Sequence, residues 1–298
     1  MTNTPIDPLA IIELTNLKAA GKLEELAEHP ALGLKPEWMT ELATDEDPWV
    51  RQALAYNPAI ANCPEAIQTL ASDKTWFVRS GLATNPAIAK FPEIIKKLAS
   101  DKDPDVRRSL ATNPVIANCP DIVAKLSADE HWPVSEALAS NPAIANYPKI
   151  IERLSTDKDY EVRYALASNK ALSDYPYSIA KLAKDRSKSV RQSLAKNPAV
   201  LNCPDIIKTL ASDKNPTVRR PLAENPALAN FPEIIQALAA DKDSLVRWHL
   251  IQHPAIANFP EVIQALARNP ATAKNPAVHT ASNNPWQPSQ PITPVPTI

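Results

Sequence analysis

The chain has 298 residues, 44% of them apolar, with 31 prolines and only three glycines, Gly21, Gly33 and Gly81. So little Gly excludes sheets built on tight hairpins, which need positive φ, while abundant Pro suits short helices that open on it. A net charge of −1 excludes a strong global field toward nucleic acid or anionic membrane.

The charge is nonetheless uneven, with ten acids against three lysines in residues 1–48. No stretch reaches the roughly 18 apolar residues of a membrane span, so a soluble, cytoplasmic protein is the expectation. Residues 1–41 read as an N-terminal capping repeat. Its degenerate unit from Leu14 still aligns His29-Pro30-Ala31-Leu32 with Asn57-Pro58-Ala59-Ile60. The charged run Lys22-Leu23-Glu24-Glu25 suits an outer face that meets water.

Residues 42–265 hold eight tandem copies of a 28-residue unit, beginning at Leu42, Leu70, Leu98, Leu126, Leu154, Leu182, Leu210 and Leu238. Each copy repeats an Asp (Asp45 to Asp241), a Val (Val50 to Val246), a second Leu (Leu54 to Leu250) and a Pro (Pro64 to Pro260). The stripe Ala66, Ile67 and Leu70 predicts a first helix opening on Pro64, with Asn62 as its N-cap and Glu65 three residues on. A second helix starts at a cap such as Asp47, Asp103 or Asn215 and buries Val50 and Leu54. It stops before Asn57-Pro58, because the residue before Pro is pushed out of the α region. The following PAIAN segment reads as a short 3-10-like turn with Ile60 inward. Such helices are too short to persist alone in water and need their neighbours.

At Leu266 the unit is spliced directly to its Asn269-Pro270 step, which reads residues 266–280 as a truncated C-terminal capping repeat. Residues 281–298 form a Pro-rich tail, expected to be disordered. Pro285, Pro288, Pro291 and Pro294 recur every third residue there. On a polyproline II helix they would share one edge, a form that SH3- or WW-like grooves read.

The run Leu-Ala-x-Asp-x-Asp-Pro-x-Val-Arg-x-x-Leu-Ala-x-Asn-Pro, as at Leu98 to Pro114, resembles the leucine-rich repeat variant family. The likeness covers residues 26–276. It implies an all-α, right-handed α-solenoid, a superhelix of alternating α- and 3-10 helices. Two departures stand out. The family unit is shorter than the 28 residues here, and the clustered cysteines of its N-terminal iron–sulfur site have no counterpart. The Asp-x-x-Val-Arg pattern also occurs in HEAT repeats, so a HEAT-like geometry is the close alternative.

Most residues that look chemical are consumed by the repeat. Cys63, Cys119 and Cys203 share a unit position with Phe91, Tyr147, Tyr175, Phe231 and Phe259, which marks an apolar packing site. Arg follows the Val in seven copies, with Ser135 the exception, and the Asp and Arg columns are expected to form a ladder linking adjacent copies. The Asn column from Asn57 to Asn225 reads as capping. His249 and His253 stand at a chelating spacing, but no third ligand is near in sequence. No catalytic residue, metal or cofactor is assigned.

Function is therefore expected where copies differ. If Val50 and Leu54 point in, positions 49, 52, 53 and 56 point out. Aromatic and large apolar residues gather there and at the helix starts: Trp49, Tyr56, Phe77, Tyr164, Leu245 and Trp248, with Trp76, Trp132 and Tyr160 one position earlier. This pattern points to a non-catalytic scaffold that binds a protein. A first alternative is nucleic-acid binding along the cations Lys74, Lys102, Lys158, Arg186, Lys214 and Lys242, as in HEAT-like DNA-repair proteins. A second is an enzyme with a groove site in the deviant copy 126–153, where His131 and Glu136 would be the acid–base pair.

Overall fold

The computed structural model describes residues 8–268, and the Pro-rich tail and most of the expected C-terminal cap lie outside the described residues. The chain is an all-α solenoid. Among the described residues it holds nineteen α-helices and nine 3-10 helices, in the order α, 3-10, α within each unit. It divides into two compact units, Met1–Ser178 and Ile179–Ile298.

In the copy at Leu70 the second helix is Trp76–Thr84, the 3-10 helix Pro86–Lys90 and the following first helix Pro92–Leu98. Pro opens the last two because the first turn has no partner for its missing N–H. Asp47, Asp103 and Asn215 cap second helices as expected, each side chain accepting the N–H two residues on. The expected Asn62 cap is corrected. Asn62 closes the 3-10 helix Pro58–Asn62, and Cys63 stands at the N-cap without a side-chain capping bond. The 3-10 turn takes up Asn62, so the non-helical residue that precedes Pro64 is Cys63, at φ −132° and ψ 83°.

In the first unit the second helices pack in sequence: Pro48–Tyr56, Trp76–Thr84, Pro104–Thr112, Trp132–Ser140 and Tyr160–Ser168. First helices and 3-10 helices form parallel rows of their own. Lys188–Lys196, Pro216–Glu224 and Ser244–Ile251 make the same row in the second unit. The stripes between rows are buried: Leu54, Ile60, Ile67 and Leu70 have no exposed surface, and later copies repeat this. Each such side chain contributes about 1.5–3 kcal/mol. Cys63 and Cys203 are buried and Cys119 is half-buried, all three as unpaired thiols. Burial pushes the Cys119 and Cys203 thiols up, in keeping with packing rather than reactivity.

Two polar columns lock the register. Arg51 Nε and Nη2 clasp the Asp73 carboxylate of the next copy at 2.6 and 3.1 Å, while its Nη1 donates to the Asp45 carbonyl of its own copy at 2.6 Å. Arg79–Asp101 and Arg107–Asp129 repeat this in the first unit, and Arg191–Asp213 and Arg219–Asp241 in the second. Each Asp also accepts the N–H two residues on, such as Thr75 N–H on Asp73 at 2.8 Å. One carboxylate thus shapes its own loop and holds the preceding copy.

The Asn column does the same for the helix ends. Asn85 Oδ1 accepts the N–H of Ala87 at 2.9 Å. Its Nδ2 donates to the carbonyls of Ala55 and Asn57 in the copy before, at 2.8 and 3.0 Å. The Ala55 carbonyl lies in the last turn of a second helix, where carbonyls lack an intrahelical partner, and the Asn57 carbonyl, which also accepts the Ile60 N–H, opens the 3-10 helix.

Burial by itself would raise the Asp73, Asp101, Asp129 and Asp213 carboxyls. The guanidinium hydrogen bonds and the capped N–H groups outweigh it and hold all four below the ordinary carboxylate range. A lowered folded pKa contributes stability above the unfolded value of about 3.9, and the contribution is lost as pH falls through the folded value. Thermal scans should therefore give a level Tm from neutrality to about pH 5 and a steep fall below about pH 4. A Tm that declines chiefly between pH 7 and pH 5 would contradict the ladder's role.

Candidate functional site

The second helices offer a face that the repeat does not consume. Val50 and Leu54 lie i, i+4 and point into the core, which turns positions 49, 52 and 56 outward. Trp49 is 57% exposed and Tyr56 52%. Position 53 is a correction: Ala53 is buried, as are Ala137, Ala165 and Ser193 in the same column. Neighbouring second helices approach closely there, and small residues fill the contact.

In the first two full copies the aromatic residues meet. Trp49 and Phe77, one repeat apart, stack with centroids 4.9 Å apart at 23°. Trp76 meets Phe77 edge-on at 5.9 Å and 87°. Phe77 is half-buried under them. Tyr56 leans on the next copy, where a Cβ on Gly81 would lie 3.4 Å from its ring. Trp132, Tyr160 and Tyr164 stand half exposed further along the first unit. Leu245 and Trp248 are half exposed in the second unit, where Trp248 meets the His249 ring edge-on at 5.0 Å. Tyr177, 60% exposed on a first helix, escaped the sequence reading. It replaces the acidic residue found there in copies such as Glu65 and Glu93, a departure that column comparison can reveal.

The cations Lys74, Lys102, Lys158, Arg186, Lys214 and Lys242 are all exposed in the loops before the second helices. The loops at Glu46 and Glu130 interrupt the row with acids. Each loop also carries its ladder Asp, and Lys102 helps to hold Asp101 ionised.

His253 replaces the capping Asn and is buried. Its Nδ1 accepts the Ala255 N–H at 3.1 Å, which leaves Nε2–H to donate to the Asn225 carbonyl at 3.1 Å. His249 pairs with Glu224. The two rings are committed to different partners. Among the described residues no group of three His, Cys, Asp or Glu could hold a metal ion, and no helix is long and apolar enough to cross a membrane.

In the deviant copy, His131 Nδ1 lies 3.3 Å from Arg107 Nη2 and 3.7 Å from the Asp129 and Glu130 carboxylates. No hydrogen bond or ion pair joins it to Glu136, so the candidate acid–base pair is not brought together. A cleft of about 310 Å³ in the second unit is lined by Gln236, Ala239, Ala240, Glu261, Val262 and Ala265. Among the described residues Glu261 is its one ionisable group.

No family model and no curated protein matches the chain. Among solved structures, a leucine-rich repeat variant with a novel repetitive motif aligns at a TM-score of 0.52 and 23% identity, over 80% of this chain and 87% of that one. The chain has the leucine-rich repeat variant fold. Its short α-helices and 3-10 helices in tandem are the same architecture, reached with a 28-residue unit. A homology model of the full-length AP-3 complex in an intermediate open conformation aligns at 0.47 and 16% identity, over 86% of this chain and 57% of that one. A designed armadillo repeat protein in complex with the peptide (KR)4 aligns at 0.15 and 16% identity, over 93% and 99%.

Ser135 breaks the Arg column. Its Oγ donates within its own copy, to the Leu126 or Ser127 carbonyl at 3.2 and 3.3 Å. The half-buried Asp157 carboxylate, which an Arg at 135 would reach, accepts only the Asp159 N–H among the described residues. Ser135→Arg should close the ladder and raise stability by about 1–2 kcal/mol, as a charged hydrogen bond to a waiting carboxylate does. Denaturant titration checks this, and an unchanged or lowered midpoint would show that the gap is already compensated.

Proposed function

We propose that the protein is a non-catalytic repeat scaffold that binds another protein through the outward face of its second helices. The observation that carries this reading is the exposed stack of Trp49, Phe77 and Trp76, with Tyr56 beside it. The repeat fixes Val50, Leu54, the Asp–Arg ladder and the Asn column, but nothing in it requires an aromatic residue at these outward positions. Half-exposed Trp and Tyr residues on rigid helices lose little entropy on binding and are typical interface anchors. Tyr164, Trp132 and Tyr160 extend the face along the first unit, and Leu245 with Trp248 supplies the second unit with anchors of its own.

Nucleic-acid binding along the Lys row is the alternative. The exposure of its cations supports it, and the interrupting acids at Glu46 and Glu130 weigh against it. Loss of low-salt duplex binding on changing Lys102, Lys158 and Lys214 would favour it.

Changing Trp49, Phe77 and Tyr164 together to Ser should abolish capture of the partner from lysate while leaving the helical circular dichroism intact. Undiminished capture by the triple variant would remove the basis of this reading.

A further inference from the structure

The proposed face has a distinct charge at its N-terminal end. Trp49, Gln52 and Tyr56 correspond, one unit earlier, to Gly21, Glu24 and Glu28. The helix Leu23–Glu28 packs directly beside Pro48–Tyr56, so these acids continue the outward row next to Trp49 and Tyr56. Glu46 stands in the loop that opens the same helix as Trp49.

These three carboxylates differ from their acidic neighbours. Glu41 pairs with Lys18, Glu25 with Lys22, Glu37 with Lys35, and Glu13 with His29. Glu24, Glu28 and Glu46 are exposed, and no ion pair involves them among the described residues. The cations of this region are spent elsewhere, with Lys18 and Lys35 also lying over the Trp38 ring at 4.8 and 5.4 Å. Lys74, one unit beyond Glu46, is the nearest exposed cation in the loop row. The surface thus sets an exposed indole and phenol among carboxylates that lack counter-ions.

A guanidinium or ammonium suits both parts at once. It gains about 0.5–2 kcal/mol over an indole face, and nearby carboxylates add charge complementarity that governs partner choice and association rate. An acidic partner would meet three like charges. A purely apolar partner would cover the rings and strand the carboxylates at its rim.

We propose that the end of the face formed by helices Leu23–Glu28, Pro48–Tyr56 and Trp76–Thr84 docks a basic peptide segment of the partner. An Arg or Lys lies on Trp49, and flanking cations pair with Glu24, Glu28 and Glu46. This rests on the reading of the second-helix face as a binding surface.

The test uses the full chain and three labelled peptides of equal length in fluorescence anisotropy: alternating Arg and Leu, alternating Glu and Leu, and alternating Ser and Leu. The Arg peptide should bind and quench tryptophan emission, with affinity that falls as salt rises. Trp49→Ser should weaken it about tenfold or more, and so should the triple variant Glu24→Gln, Glu28→Gln, Glu46→Gln. Binding of the Glu or Ser peptide as tightly as the Arg peptide, with loss in Trp49→Ser, would overturn the charge inference and leave the face reading standing. Arg-peptide binding unchanged in both variants would overturn the inference by placing the basic site elsewhere. Binding of none of the three peptides would also overturn it, and partner capture by the Trp49, Phe77, Tyr164 variant then judges the face by itself. Concentration-dependent self-association abolished by the triple Gln variant would overturn it too, with a second copy of the chain as the occupant.

Discussion

The structure depends on one repeated interaction, the clasp of an arginine in one copy on the aspartate of the next. Arg51 spans two loops, donating to the Asp45 carbonyl behind it and to both oxygens of Asp73 ahead. Asp73 in turn accepts the Thr75 N–H and so shapes the start of its own second helix. A buried charge pair of this kind adds little net stability relative to apolar packing, because desolvation offsets attraction. Its value is geometric. The bidentate fork is satisfied in one register, and a copy displaced by one residue would leave a guanidinium and a carboxylate buried without partners. Apolar stripes supply the driving force, and the polar columns select the register in which it is expressed.

That division explains what could be read from the sequence. The period, the helix starts, the 3-10 segment and the inward Ile60 follow from local rules: Pro at first helical positions, Asn before Pro, and apolar residues at i, i+4. The Arg and Asp columns were legible as a ladder because every copy carries the Asp and all but the one with Ser135 carry the Arg. Other features needed coordinates. The Asn side chain announces a cap, but nothing local shows that its amide reaches carbonyls 28 and 30 residues back. Asn62 looked like a cap because Asn usually is one, and the 3-10 turn displaced the cap by a residue. Ala53 was placed outward by helical geometry alone, without the close approach of the neighbouring helix that buries it.

The candidate site was legible in outline. Aromatic residues at positions the unit leaves open identified Trp49, Tyr56 and Phe77, and stacking a column on itself every 28 residues brings Trp49 over Phe77. Which carboxylates remain without a counter-ion was not legible, since Lys18 reaches Glu41 across 23 residues. His131 and Glu136 looked like a pair in sequence, yet His131 is drawn to Arg107 of the preceding copy and to the acids beside it. The same stacking that makes the fold regular absorbs residues that would otherwise suggest chemistry, and what it leaves over is surface.

Register, set every 28 residues by the Arg–Asp and Asn columns, defines the fold. Excision of residues 98–125 removes one whole unit and presents Asp129 to Arg79 and Asn141 to the carbonyls of Ala83 and Asn85. Excision of residues 98–123 removes nearly as much chain but shifts every column by two positions. Thermal unfolding followed by circular dichroism should show the first variant folded, with native helicity per residue and a cooperative transition, and the second largely unfolded. Equal damage in the two variants, or a folded second variant, would contradict the account.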